Sequence, residues 1–372
     1  MKKTITTAII ALITIITPKA QTLPDSTLRQ LAAQMLIIGF QSDSLETDPN
    51  LRHYLTQIKP GGIILFDIDL TKKGGLGSRN IKNPQQLAHL TRQIKQTAGY
   101  PIIIAADQEG GLVQRLKPQY GYQQIPSAHK IGTEINNPDT TLHYASLIAQ
   151  QLKQAGINMN LAPELDTHSP QCPVIGKLNR AYSANTDTIA LHASITINQL
   201  LKNNIIPVAK HFPGHGSATA DSHYGLTDVT QTWTPDELRP FKKLIETNNI
   251  PAIMTAHVIN KNIDPDNPAT LSHKTLTQLL RQTLGYKGTI ITDDLYMKGI
   301  ISNYTIPQAI ITTINAGADM IIIGNNINTG FEPDRPQKII NIIVDAVKQG
   351  KIPQQRLIDA NNHIKQLHRI IQ

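Results

Sequence analysis

One cysteine in 372 residues, Cys172, leaves no intramolecular disulfide possible, so stability has to come from a buried core. Charged residues make up 17% and hydrophobic ones 40%, which excludes a disordered polyelectrolyte and fits a folded globular chain. The uncharged run Thr4 to Thr17 falls short of the ~20 apolar residues that a membrane-spanning helix needs. It follows Lys2 and Lys3 and precedes Pro18-Lys19-Ala20, the pattern of an export leader. The expected division is therefore a signal peptide at residues 1–20 and one domain at residues 21–372, exported to the periplasm or beyond. No cysteine stands near the leader, so no lipid anchor and no stable membrane attachment are implied. Removing the leader takes away Lys2, Lys3 and Lys19 and no acid, which lowers the formal charge of +8 by three. What remains is scattered, as at Lys242-Lys243 and Arg369, and forms no dense patch of the kind that binds nucleic acid. No linker rich in Pro, Gly or Ser divides the chain, and a monomer is the simplest expectation.

Short apolar runs recur at Met35–Phe40, Gly62–Phe66, Ile102–Ala106, Ile157–Leu161, Ile205–Ala209, Ala252–Thr255, Thr289–Thr292 and Met320–Ile323. Segments of helical period lie between them, among them Pro84–Ala98, Thr186–Asn203, Thr234–Glu246, Ser272–Leu284 and Pro307–Ala316. Thr234 and Ser272 stand where caps belong. Eight alternating units predict an α/β fold of the (β/α)8 TIM-type barrel class, with a doubly wound open sheet as the alternative. The segment from Asp67 to Asn83 reads as a long polar loop, more an insertion than a functional element.

A barrel demands that its chemistry sit just after the strand ends, on one rim. Six ends satisfy the demand: Asp107-Gln108-Glu109, Glu164-Leu165-Asp166, Lys210-His211, His257, Asp293-Asp294 and Asn325-Asn326. After the fifth strand come His211, His215, Asp221 and His223, in a stretch where Pro213, Gly214 and Gly216 prevent regular helix. Such residues suit either zinc or acid/base work. The first strand ends in Gly39-Phe40 without the His-x-His pair that barrel metallohydrolases generally add, so no metal is expected. The other reading makes His223 a general acid/base oriented by Asp221. Asp293 at a strand end is the candidate nucleophile, and one of the Asp293-Asp294 pair is free to cap. Asp107 and Arg115 bracket a turn bent at Gly110-Gly111 and are candidates to bind hydroxyl and other polar groups.

Taken together, QMLIIGF at Gln34–Phe40, DQEGGLVQR at Asp107–Arg115, LAPELD at Leu161–Asp166, KHFPGHG at Lys210–Gly216 and DSH at Asp221–His223 form a pattern. With LGYKGTIITDDLYM at Leu284–Met297 and AGADM at Ala316–Met320, it resembles glycoside hydrolase family 3, in particular its single-domain bacterial β-N-acetylglucosaminidases of cell-wall turnover. The resemblance implies Asp293 as nucleophile, His223 as acid/base and Asp221 as its partner. It further implies Asp107, Arg115, Arg180, Lys210 and His211 as sugar-binding residues and no cofactor. The implied reaction is retaining, releasing N-acetylglucosamine from peptidoglycan fragments or related glycans through a glycosyl-enzyme. The glycines around His223 are expected to let its loop close over bound sugar. Family-3 β-glucosidases, phosphorolysis by a histidine-based site, and a non-catalytic glycan-binding protein are the alternatives.

Overall fold

A computed structural model describes residues 23–221, 225–247, 250–327 and 330–372. The signal peptide expected at residues 1–20 lies outside these. Eight parallel strands carry the fold: β1 (Leu36–Gly39), β2 (Gly62–Ile64), β3 (Ile103–Ala106), β4 (Met159–Asn160), β5 (Ile206–Phe212), β6 (Ala252–Thr255), β7 (Thr289–Thr292) and β8 (Ile321–Ile323). In space they run β7-β6-β5-β4-β3-β2-β1-β8. A parallel bridge from Ile291 to Met320 joins the two ends, with Met320 N donating to Ile290 O and Thr292 N to Met320 O, each at 3.0 Å. The sheet thus curls into a TIM-type barrel, as the eight apolar runs predict, rather than an open doubly wound sheet.

The strands read as unbroken apolar runs because both faces are covered, side chains filling the barrel on one and helices on the other. Helix ends follow local chemistry. Pro84–Ala98 starts on Asn83, whose side chain accepts from Gln86 N, and stops at Gly99 with φ 67°. Ile306–Ala316 opens with a Thr305/Gln308 capping box. Ser272 accepts from Thr275 N ahead of the wide-turned helix Lys274–Thr283, as its position suggests. Thr234 does not cap with its side chain; its carbonyl accepts from Glu237 N instead. Helices Asp25–Gln34, Arg335–Lys348 and Gln354–Ile371 pack together beside the strands, joined by Leu28, Ile339, Ile343 and Ile364 in one core. No helix of the described residues is long and apolar enough to cross a membrane.

One strand runs longer than its apolar run: the sequence predicts Lys210-His211 directly after the end of the fifth strand at Ala209, and β5 continues through them to Phe212, with its register against β6 shifting between Ala209 and Phe212. The polar pair is tolerated inside a strand because carboxylates from neighbouring strand ends meet it.

Candidate active site

The rim at the carboxyl ends of β2 to β5 carries a chain of ion pairs in which sign alternates from residue to residue. It begins on Lys117, whose Nζ lies 2.5 Å from Asp67, at the end of β2. Asp67 stands 3.8 Å from Arg115, and Arg115 2.8 Å from Asp107 at the end of β3. Lys210 of β5 then bridges Asp107 at 3.1 Å and Glu109 at 2.7 Å. Arg180 reaches Glu109 with two donors at 2.8 and 2.9 Å and approaches Glu164, after β4, at 2.5 Å. Glu164 lies 3.5 Å from His211 Nδ1, and the same nitrogen is 2.7 Å from Asp166. The Arg180–Glu164 contact is close but badly aligned for a hydrogen bond, and we treat it as an ion pair.

Most of these groups are buried, and a buried charge without a partner costs several kcal/mol. Five carboxylates face Lys117, Arg115, Lys210 and Arg180, so the chain balances only when His211 also carries charge. Its surroundings agree. Burial alone would lower the His211 pKa, but the Glu164 and Asp166 charges outweigh it and push it up to about 10. Burial would likewise raise Asp107, yet Lys210 and Arg115 hold it below the usual carboxylate range. Arg180 and Lys210 are raised against the opposing effect of burial by the acids around them. The array is rigid and ionised, which suits it to orienting hydroxyl groups rather than to exchanging protons.

A pH experiment checks the His211 charge. Because its folded pKa lies above the unfolded value of about 6.5, the stability it contributes is complete below that pH and is lost as pH rises through about 10. The urea midpoint of the wild type is therefore expected to exceed that of His211→Gln most near pH 6, with the gap narrowing toward pH 10. A gap independent of pH would mean that His211 is neutral.

Beyond His211 the chain turns under restraint. His215 N donates to Asp166 Oδ1 at 2.7 Å, its carbonyl accepts from Cys172 Sγ at 3.4 Å, and Trp233 Nε1 donates to Pro213 O at 3.0 Å. Burial and the charge on His211 push the His215 pKa down to about 3, so the ring is neutral, and its backbone braces the turn. A Cβ on Gly214, at φ 125°, would stand 2.6 Å from Glu237 Oε2, and one on Gly216 would stand 2.0 Å from Thr167 O. These glycines permit close packing at the root of the loop. Asp221 is half-buried, and His223 lies outside the described residues.

Two strands on from β5, β7 ends in two carboxylates with different surroundings. Asp294 accepts from Tyr296 N at 3.0 Å and Gly324 N at 3.1 Å, tying β7 to β8, while its carbonyl lies 3.0 Å from His257 Nε2. Burial, with the Asp293 charge adding to it, pushes the Asp294 pKa up to about 6. Asp293, partly exposed like its neighbour, stands at the strand end with one oxygen accepting from Asp294 N at 2.8 Å. Asp294 is thus the member that ties β7 to β8, with Asp293 beside it at the strand end.

Of the residues singled out from sequence, Asp107, Arg115, Arg180, Lys210 and His211 meet in one network. Glu109, Glu164 and Asp166 join it as rim groups that sequence alone does not assign to the site, and Asp67 joins it from the polar loop. Their signal was position alone, directly after strand ends. Glu164, Asp166 and His211 also bring ligand atoms within 4.8 Å of one another, a spacing that can hold a metal. Here Arg180 faces Glu164, while Asp166 accepts from His215 N and from the backbone and ring nitrogens of His211. The donors are already engaged, so a cation would have to displace resident positive charge.

The model described as "Glycosyl hydrolase family 3 N terminal domain" matches residues 27–367. A protein of Nitrosomonas eutropha named beta-hexosaminidase is 33% identical over 334 residues, spanning 87% of this chain and 88% of that relative. Among solved structures, a glycoside hydrolase family 3 beta-N-acetylglucosaminidase from Paenibacillus sp. str. FPU-7 superposes with TM-score 0.82 at 30% identity. That likeness covers 92% of this chain and 62% of the other, so the chain spans less than two thirds of that protein. The beta-N-acetylhexosaminidase of Beutenbergia cavernae, 24% identical, shares the fold with TM-score 0.80 over 92% of this chain and 98% of its own.

Proposed function

The chain belongs to glycoside hydrolase family 3, and from that premise we propose that this glycosidase releases terminal β-linked N-acetylglucosamine by a retaining double displacement. The observation that carries the reading is the joint occupation of one barrel rim by an ionised hydroxyl-binding array on β2 to β5 and by Asp293 at the end of β7. In this reading Asp107, Arg115, Lys210, His211 and Arg180 grip the sugar around its ring. The Asp293 carboxylate attacks the anomeric carbon while His223 protonates the departing glycosidic oxygen, so that neither charge develops unassisted. His223 next takes a proton from water, whose oxygen displaces Asp293 and restores the starting configuration. Asp221, two residues before His223, orients its ring. An unperturbed imidazole titrates at about 6.5 and can serve in both directions near neutrality.

The leader at residues 1–20 supports export, and peptidoglycan fragments are then the substrate within reach. A monomer without a membrane anchor completes the proposal.

Initial rates on an aryl β-N-acetylglucosaminide, the matching β-glucoside, and each with added inorganic phosphate test the reading. The N-acetyl substrate is expected to be preferred by about 100-fold in kcat/KM, with free sugar as product. Preference for the glucoside would overturn the substrate assignment. Sugar 1-phosphate as main product would replace hydrolysis by phosphorolysis.

A further inference from the structure

Asp67 opens an excursion whose two ends meet. Asn80 N donates to Phe66 O at 3.0 Å and Phe66 N to Asn80 Oδ1 at 2.9 Å, so residues 67–79 leave the barrel and return to the same place. The excursion is fastened along its length. Arg79, fully buried, donates to Phe40 O at 2.8 Å and Asn326 Oδ1 at 2.6 Å and pairs with Asp69 at 3.5 Å. Leu70 N donates to Asn326 Oδ1 at 2.9 Å and Gly77 N to Tyr120 Oη at 2.8 Å. The excursion is therefore a built element that ties the ends of β1, β2 and β8 to the loop after β3.

Its first residue is the one that touches the sugar-binding array. The Asp67 side chain is 2% exposed, and its Oδ2 takes Lys117 Nζ at 2.5 Å and Tyr120 Oη at 3.1 Å. Its other oxygen lies 3.8 Å from Arg115 Nη1, while Arg115 Nη2 is bonded to Asp107 at 2.8 Å and the guanidinium lies over the Phe66 ring at 5.7 Å. A planar guanidinium drawn by carboxylates at two corners and stacked on a ring has one orientation. Without Asp67, Arg115 would keep its bond to Asp107 and its place over Phe66 but lose the second carboxylate that sets its orientation, and Lys117 would lose the carboxylate it pairs with.

We infer that Asp67 is a positioning residue, which fixes the Arg115 guanidinium in the attitude that receives the sugar. The inference rests on the reading of Arg115 as a sugar-binding residue. Asp67 does not touch substrate; it acts through Arg115, and this is what an experiment can separate from a role in folding.

The test is a double-mutant cycle on the aryl β-N-acetylglucosaminide with Asp67→Asn, Arg115→Ala and the two together, folding being checked by thermal unfolding. Asp67→Asn is expected to raise KM about tenfold with kcat held within about twofold, the pattern of lost ground-state binding. In the Arg115→Ala background the same change is expected to add nothing further, because the group it positions is gone. A normal KM for Asp67→Asn, or effects that multiply in the double variant, would overturn the inference and leave the site reading intact. If Arg115→Ala alone has no effect, the site reading fails at Arg115 and a KM change from Asp67→Asn then overturns positioning through it. Should Asp67→Asn not fold, Lys117→Gln run through the same cycle gives the answer. It leaves Asp67 in place but frees it to pull on Arg115, and a KM change that survives in Arg115→Ala would count against the inference.

Discussion

Asp293→Ala is expected to lower kcat on the aryl β-N-acetylglucosaminide by about 10⁴-fold or more, the loss typical of a removed nucleophile. Sugar binding should persist, since the array on β2 to β5 is untouched. Added azide is then expected to restore turnover, because a small anion fits the space of the missing carboxylate and attacks the anomeric carbon from the same face. The product would be the α-glycosyl azide, with configuration opposite to that of the substrate bond. This outcome distinguishes a nucleophile from a carboxylate that merely stabilises charge. Asp294 supplies the internal control. Its side chain accepts two backbone N–H groups, from Tyr296 and Gly324. Asp294→Ala should therefore lower stability, because it strands those donors, and azide should not rescue it. If azide rescued Asp294→Ala and not Asp293→Ala, the assignment within the pair would be reversed.

The barrel was legible in the sequence because its signal is local. β6 and β7 occupy the residues marked by their apolar runs, and the helix Pro84–Ala98 matches end for end, being framed by Asn83, Pro84 and Gly99. The rim was legible for a different reason: in a parallel barrel every strand points its carboxyl end the same way, so any polar residue directly after a strand joins the same mouth. Partners were not legible. Arg180 finds Glu109 across 71 residues of sequence, and Lys210 finds Asp107 across 103. No spacing rule announces such pairs, and a sequence shows charges without showing which of them balance.

Two polar stretches carry buried members that composition alone does not reveal. Lys210 and His211 continue a strand, and the loop of residues 67–83 holds Asp67, Asp69 and Arg79 inward. Lys210 is 2% exposed and Arg79 1%, each surrounded by acids or backbone carbonyls that replace water. The glycines at the root of the loop after β5 serve packing, since Gly214 and Gly216 admit Glu237 and Thr167 to contact. Composition tells what a segment can satisfy, and the neighbours decide whether water or protein satisfies it.

Lys210 is where the alternating chain is most exposed to a single change. Lys210→Met keeps the length of the side chain and deletes the one cation that Asp107 and Glu109 share. Asp107 retains Arg115 and Glu109 retains Arg180, but the two acids lose the charge between them inside a buried site. Removing one partner of a buried pair typically destabilises by about 3–5 kcal/mol, most of it the penalty of the carboxylates left behind. A drop of that size in the free energy of urea unfolding is expected, together with loss of sugar binding. The way to tell unbalanced charge from lost packing is to remove an acid as well. Glu109→Gln in the Lys210→Met background should recover part of the stability, even though each change alone is harmful, because the pair of changes restores neutrality along the chain. Asp25→Asn in the same background, at an exposed side chain far along the chain from the rim, should recover nothing. Losses that simply add for Lys210 and Glu109 would mean that alternation of charge is incidental and that shape alone holds the mouth together. Recovery would mean that the same balance which keeps these groups ionised without solvent also fixes them where a sugar can be gripped.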